Sequence, residues 1–259
     1  MQLNFHKYHG TGNDFILIDQ REQQQLTRSD TTIIQQLCQR HFGIGADGLM
    51  LLQKHSEYDF EMIYFNSDGR ESSMCGNGGR CIAAFAHRLG IFEQKCRFLA
   101  IDGAHEASIQ DDWIELKMSD VQQIETHSDH YFLNTGSPHY VQFVENIQKV
   151  EVLKEGSRIR YSEAFRPNGT NVNFVEKKAD QLIVATYERG VEDETLSCGT
   201  GVTAAAIASY LQQPKEEIDI LTKGGNLKVK LKKNAQGFSD IWLCGRAQFV
   251  FEGIVNVSK

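Results

Sequence analysis

Nothing in these 259 residues approaches the roughly eighteen consecutive uncharged apolar residues of a membrane span, so no membrane partner is expected. The opening MQLNFHKYHG lacks the basic start and apolar core of a signal peptide, and a cytoplasmic protein is expected. Basic patches are scarce too. A formal net charge of −7 argues against a nucleic-acid partner, which needs a positive patch or stripe. The densest basic run is Lys228, Lys230, Lys232 and Lys233. Its first three members alternate with Leu227, Val229 and Leu231, the pattern of the wet face of a half-buried strand. No CxxC pair occurs, and the C-x5-C of Cys75 and Cys81 is not a zinc spacing, so no metal is expected. Six cysteines in a long chain without a secretion signal do not make a disulfide framework. What remains is an ordinary globular composition, 41% hydrophobic and 24% charged, at a length comfortable for two domains.

What is present is mostly strand. Met1 to Tyr8 and Phe15 to Asp19 flank the glycine-rich turn HGTGND. Leu49 to Leu52 is a short apolar run, and period-two alternation marks Phe60 to Tyr64, Ile114 to Met118, Leu182 to Tyr187, Ile218 to Leu221 and Gln248 to Phe251. Three helices are expected. The first is capped by Ser29 or Asp30, carries Ile33, Ile34, Leu37 and Cys38 on one face, and stops near Gly43. The other two, RCIAAFAHRL and VTAAAIASYL, begin just after the C-G-x-G of ESSMCGNGGRC and of ETLSCGTGVT. Being small and apolar nearly all round, they suit burial inside a sheet. The expected class is α/β (of α+β type), with two pseudo-symmetric domains. Each would be a mostly antiparallel, strand-rich sheet wrapped around a central helix. The polar stretch Ser119 to His130 is the best crossing point between them.

The two C-G-x-G stretches belong to a repeat. Cys75 and Cys198 are 123 residues apart, as are Asn66 and Arg189, and as are Gly48 in GADGLMLL and Asn171 in GTNVNFVE. Gly12 and Gly136, each in a T-G turn, are 124 apart. Agreeing offsets in chain order indicate two copies of one unit.

Two cysteines at helix N-termini suit one chemistry. Unsatisfied N–H groups and the helix dipole stabilise an anion there and draw a thiol's pKa down from about 8.5 toward neutrality. Neighbouring glycines let a carboxylate approach the backbone. Inverting a carbon that bears hydrogen needs a base on one face and an acid on the other, with the roles exchanged in reverse, so the two groups should be alike. Cys75 and Cys198 fit. Cys38, Cys81, Cys96 and Cys244 read as packing residues.

Here the sequence resembles the diaminopimelate epimerase family, nearly end to end. The matching motifs are KYHGTGNDF at Lys7 to Phe15, HFGIGADG at His41 to Gly48 and FNSDGRESSMCGNGGRC at Phe65 to Cys81. NTGSPHYV at Asn134 to Val141, TNVNFVE at Thr170 to Glu176 and YERGVEDETLSCGTG at Tyr187 to Gly201 continue the match. The resemblance implies two domains, 1–119 plus about 250–259 and 120–249. It implies interconversion of LL- and meso-2,6-diaminoheptanedioate without cofactor, and a homodimer. Cys75 and Cys198 would be the acid/base pair. Gly76, Asn77, Gly199 and Thr200 would cradle the carboxylate at the reacting centre, while Asn13, Asn66, Asn171, Glu188 and Arg189 would hold the substrate. His139 and Glu188 would tune the thiols.

Three departures from the family pattern stand out. Gly48 occupies a position where some members have glutamine, Ser137 one where some have asparagine, and the loop Gly190 to Glu194 is one residue longer. Proline and hydroxyproline racemases are the nearest rivals, but their first motif tends toward M-C-G-H-G, where this chain has MCGNG. A PhzF-like isomerase would lack the paired cysteines. From another class, an amino-acid-binding protein needs the cradle but not two thiols, and a redox sensor would join Cys75 to Cys198.

Overall fold

The computed structural model describes residues 1–257, and the chain forms two compact units. One comprises Met1–Leu116 and the segment from Arg246 onward; the other is Lys117–Gly245. Among the described residues no helix is long and apolar enough to cross a membrane.

In the first unit β1 (Gln2–Gly10) pairs antiparallel with β2 (Asn13–Asp19), and β2 runs parallel to β3 (Gly48–Gln53). β3 pairs antiparallel with β4 (Phe60–Asn66), which runs parallel to β5 (Lys95–Ala100). β6 (Gly103–Gln110) and β7 (Trp113–Lys117) extend the sheet antiparallel. The closing strand Gln248–Asn256 returns to lie antiparallel to β1. Helix α1 (Thr31–Cys38) covers one side, where Ile34 and Leu37 join Ile16, Ile18, Leu49, Leu51 and Ile63 in one core. Each large side chain buried this way contributes about 1.5–3 kcal/mol. Helix α2 (Gly76–Arg88) packs on β1, β2, β3 and β6.

The second unit repeats this plan internally. β8 (Ile124–Thr126), β9 (Tyr131–Asn134) and β10 (Pro138–Phe143) are antiparallel, and β10 runs parallel to β11 (Asn171–Lys178). β12 (Gln181–Glu188) is antiparallel to β11 and to the short β13 (Asp193–Thr195), and parallel to β14 (Glu217–Thr222). β15 (Gly225–Asn234) and β16 (Gly237–Arg246) complete it antiparallel. Helix α3 (Val152–Arg160) packs on β11 and β12, and α4 (Gly199–Gln212) packs on β9, β10, β11, β12 and β15. The registers agree with the repeat: Phe60 faces Phe98 and Ile183 faces Leu221, both members displaced by 123. The expected mixed fold, a mostly antiparallel sheet around a central helix in each half, is the one observed.

Three expectations need correction. Helix α1 ends at Cys38 rather than near Gly43, because the following loop folds back. The N–H groups of Gly45 and Ala46 then satisfy the carbonyls of Leu37 and Cys38 at 3.0 Å each. Asp30 is the N-cap residue, but its carboxylate turns back to accept from the Thr27 N–H and hydroxyl, both at 2.8 Å. Helices α2 and α4 begin inside the C-G-x-G motifs rather than after them, with Cys75 and Cys198 as their N-caps.

Candidate active site

Cysteine at an N-cap puts sulfur where a helix leaves N–H groups unpaired. In the first unit the Cys75 Sγ accepts the Gly78 N–H at 3.2 Å. Gly78 leaves room here, since a Cβ would lie 2.7 Å from the flexible Met50 methyl and 3.1 Å from that sulfur. Behind this turn lies Arg80, a fully buried cation. Its guanidinium donates to the Gly76 carbonyl at 3.1 Å, the Asn77 Oδ1 at 2.9 Å and the Thr11 hydroxyl at 3.2 Å. Asn77 then donates to Asn13 Oδ1 at 3.3 Å, and Asn13 donates to Asp47 Oδ2 at 2.6 Å. The HGTGND turn and the first cysteine are thus tied together. Asn66 ends β4, exposed, in a turn closed by its own backbone to Arg70 and Gly69.

Glycine at position 48 has a steric basis. A Cβ at Gly48 would lie 2.6 Å from both the Phe65 carbonyl and the Tyr64 ring. The aromatic ring occupies the space a longer residue would use.

In the second unit Cys198 is buried, and its sulfur lies 3.5 Å from the Thr200 hydroxyl. That hydroxyl is 2.9 Å from Nε2 of His139, a fully buried ring whose Nδ1 is 3.0 Å from Asn173 Nδ2. Asn173 Nδ2 also donates to the Tyr140 carbonyl at 2.9 Å, and its Oδ1 accepts from Thr186 at 2.9 Å. A carbonyl only accepts, so the amide's direction is fixed. Nδ1 of His139 therefore accepts, its proton sits on Nε2 and goes to Thr200, and the threonine's own proton is left for the sulfur. Burial pushes the His139 pKa down to about 3, keeping the ring neutral.

Asn171 clasps the site from within. It donates to the Ser137 hydroxyl at 2.8 Å and the Pro138 carbonyl at 3.0 Å, and accepts the Arg189 N–H at 2.8 Å. Ser137 therefore keeps a polar partner at its position. Glu188 ends β12, and the Arg189 guanidinium reaches the Asn168 carbonyl at 3.3 Å. The longer loop after it is pinned by Glu192, whose carboxylate accepts from Arg160 at 3.1 Å, the Tyr187 hydroxyl at 3.1 Å and the Gly190 N–H at 3.0 Å.

The other cysteines are buried apolar residues. Burial raises Cys38 and Cys96 to about 12 and pushes Cys81 higher still. Among the described residues no group of three or more His, Cys, Asp and Glu side chains is placed to hold a metal ion. Sequence reasoning missed Thr11, Asp47, Arg80, Asn173 and Thr186. The one available signal was Asn173, two residues from Asn171 and so on the same strand face.

The fold is one found among isomerases and epimerases. It superposes on a PhzF-family phenazine biosynthesis protein from Bacillus anthracis with a TM-score of 0.79 at 13% identity, covering 99% of this chain and 100% of that one. With a hydroxyproline epimerase from Agrobacterium vitis the TM-score is 0.70 at 14% identity, covering 98% and 92%. The sequence narrows the class. A family model for diaminopimelate epimerase matches residues 5–124 and 131–250. A diaminopimelate epimerase of Flavobacterium psychrophilum is 50% identical over 254 residues, 96% of this chain and 99% of that protein. The chain belongs to the diaminopimelate epimerase family.

Proposed function

We propose that this chain interconverts LL- and meso-2,6-diaminoheptanedioate by two-base proton transfer between Cys75 and Cys198, with no cofactor. The observation that carries the reading is the duplicated helix start, in which each unit caps its central helix with a cysteine followed by Gly-x-Gly. One sulfur, as thiolate, removes the α-proton while the other, as thiol, returns one to the opposite face; the reverse reaction exchanges them. The N–H groups of Gly76, Asn77, Gly199 and Thr200 bind the carboxylate of the reacting centre and stabilise the negative charge that builds on it. Asn13, Asn66, Asn171, Glu188 and Arg189 hold the rest of the substrate, with Arg189 and amide N–H groups suited to the distal carboxylate and the Glu188 carboxylate to the ammonium. His139, through Thr200, and Glu188 condition the two thiols.

The family name and those of its relatives support lysine biosynthesis as the setting; a cytoplasmic location and a homodimer rest on the expectations drawn from the sequence and its resemblance. The two domains are read as 1–119 plus about 250–259 and 120–249. The test follows α-deuterium and meso product by NMR with reduced protein and LL-diaminopimelate in D2O. Exchange with inversion is expected. Exchange on proline instead would move the chain to the racemases, and no exchange on either would overturn the reading.

A further inference from the structure

In the first unit one hydrogen-bond chain has its direction fixed at both ends. Arg80 carries only donors, so Asn77 must turn its Oδ1 toward the guanidinium, at 2.9 Å from Nη2. The same oxygen accepts from the Thr11 hydroxyl at 3.3 Å. The nitrogen of that amide then faces Asn13 Oδ1 at 3.3 Å. At the far end the Asp47 carboxylate, paired with Arg40, accepts, and Asn13 gives it Nδ2 at 2.6 Å. Asp47 is itself held by Arg40 at 2.6 Å and by the Asp14 N–H at 3.2 Å. Turning either amide over would set donor against donor or acceptor against acceptor.

We propose that Asp47 and Arg80 are positioning residues that lock Asn13 and Asn77 from opposite ends, with both amide oxygens committed inside the unit. The two amides then meet a ligand only as N–H donors. This wall of the site takes a carboxylate and rejects an ammonium. The inference rests on the reading that Asn13 and Asn77 contact substrate, and it adds what orients them.

Asp47→Asn tests it. The new amide still gives its oxygen to the Arg40 cation, because a charge-assisted bond outweighs a neutral one. An NH2 then faces Asn13, whose amide must reverse, and Asn77 is left with an unmatched neighbour. The expected result is a KM for diaminopimelate raised about tenfold with kcat within about twofold, the sign of lost uniform binding. A substrate-free readout comes from the side-chain amide resonances. Both Asn13 and Asn77 should shift in Asp47→Asn, although Asp47 bonds only the first. Arg80→Lys, which loses the fork serving three acceptors, should raise KM from the other end. Asp47 is partly exposed, so its variant keeps the test in force should Arg80→Lys not fold. An unmoved Asn77 resonance, or an unchanged KM in Asp47→Asn, overturns the proposal. Relayed shifts in a protein whose wild type does not turn over diaminopimelate would overturn the function and leave the relay standing.

Discussion

Both units start their central helices on Cys-Gly-x-Gly, yet they hold the sulfur differently. In the first, the backbone N–H of Gly78 meets Cys75, and the variable residue Asn77 turns inward to Arg80. In the second, the variable residue Thr200 stands between His139 and the Cys198 sulfur. Five positions after each cysteine the pattern converges again. Arg80 and Thr203 are both fully buried, and both donate to the carbonyl of the first helical residue, at 3.1 Å to Gly76 and 2.9 Å to Gly199. The duplicated backbone dictates which groups need partners, while the side chains that answer are free to diverge. One half places a full positive charge in the turn that carries its cysteine; the other uses a neutral chain of amide, imidazole and hydroxyl. The proposed two-base inversion would tolerate this, since it asks for one sulfur as thiolate and the other as thiol.

Removing either sulfur should break the comparison most completely. Cys75→Ala and Cys198→Ala are each expected to lower kcat/KM by about 10³-fold or more, the scale of a lost general acid or base. If either keeps a tenth of wild-type turnover in the deuterium assay, that half is not required. The second glycines come next. A Cβ at Gly201 would lie 2.4 Å from Asn173 Oδ1, whose amide is held by Thr186, His139 and Tyr140. At Gly78 the nearest atom is a flexible methionine methyl at 2.7 Å. Gly201→Ala should therefore cost about 2–3 kcal/mol in urea unfolding, against about 1 kcal/mol for Gly78→Ala. Equal costs would mean that the amide chain yields as easily as a methionine. Thr200→Val keeps the shape and removes the hydroxyl between His139 and Cys198. A kcat lowered about tenfold, with KM within about twofold, is expected. An unaltered kcat would leave His139 without a route to that sulfur.

The sequence showed some of this and hid the rest, for identifiable reasons. The small, apolar central helices were legible because they have no wet face, and most of each is buried. Strand β15 was legible in the alternation of Leu227, Val229 and Leu231 with lysines. Helix α3 was not. Only Val152, Gly156 and Ile159 are buried in it, and Gly156 reads as a breaker although a Cβ there would lie 2.4 Å from the Tyr187 side chain. The cysteines declared themselves through the repeat. Arg80 and Asn173 did not, because a polar residue in a helix or strand reads as solvent-facing until its partners are seen. The partners include ones far along the chain, Thr11 69 residues from Arg80 and His139 34 from Asn173.

Acid should separate the two halves by a smaller effect. A histidine in the unfolded chain titrates near 6.5, but His139 in the fold is pushed down by burial to about 3. Below pH 6.5 the unfolded chain takes up a proton that the folded chain refuses until about pH 3. The stability due to the neutral ring is therefore full above pH 6.5 and is lost as pH falls from there toward 3, at up to about 1.4 kcal/mol per pH unit. In the first unit the corresponding buried group is the Arg80 guanidinium, which stays charged throughout that range. Its acid-sensitive neighbour is Asp14, where burial acts upward but Arg40 and Lys7 prevail and hold the carboxyl below its usual 3.8. Stability from Asp14 is present above 3.8 and is lost only as pH falls below it, so the two windows are offset. Unfolding free energies of wild type and His139→Gln, measured from pH 7 to 4.5, should converge as pH falls, because the variant has no proton to refuse. Parallel curves would mean that the folded ring accepts its proton at an ordinary pH. Both ring nitrogens would then donate, and the Asn173 amide would have to turn its oxygen rather than its nitrogen toward Nδ1.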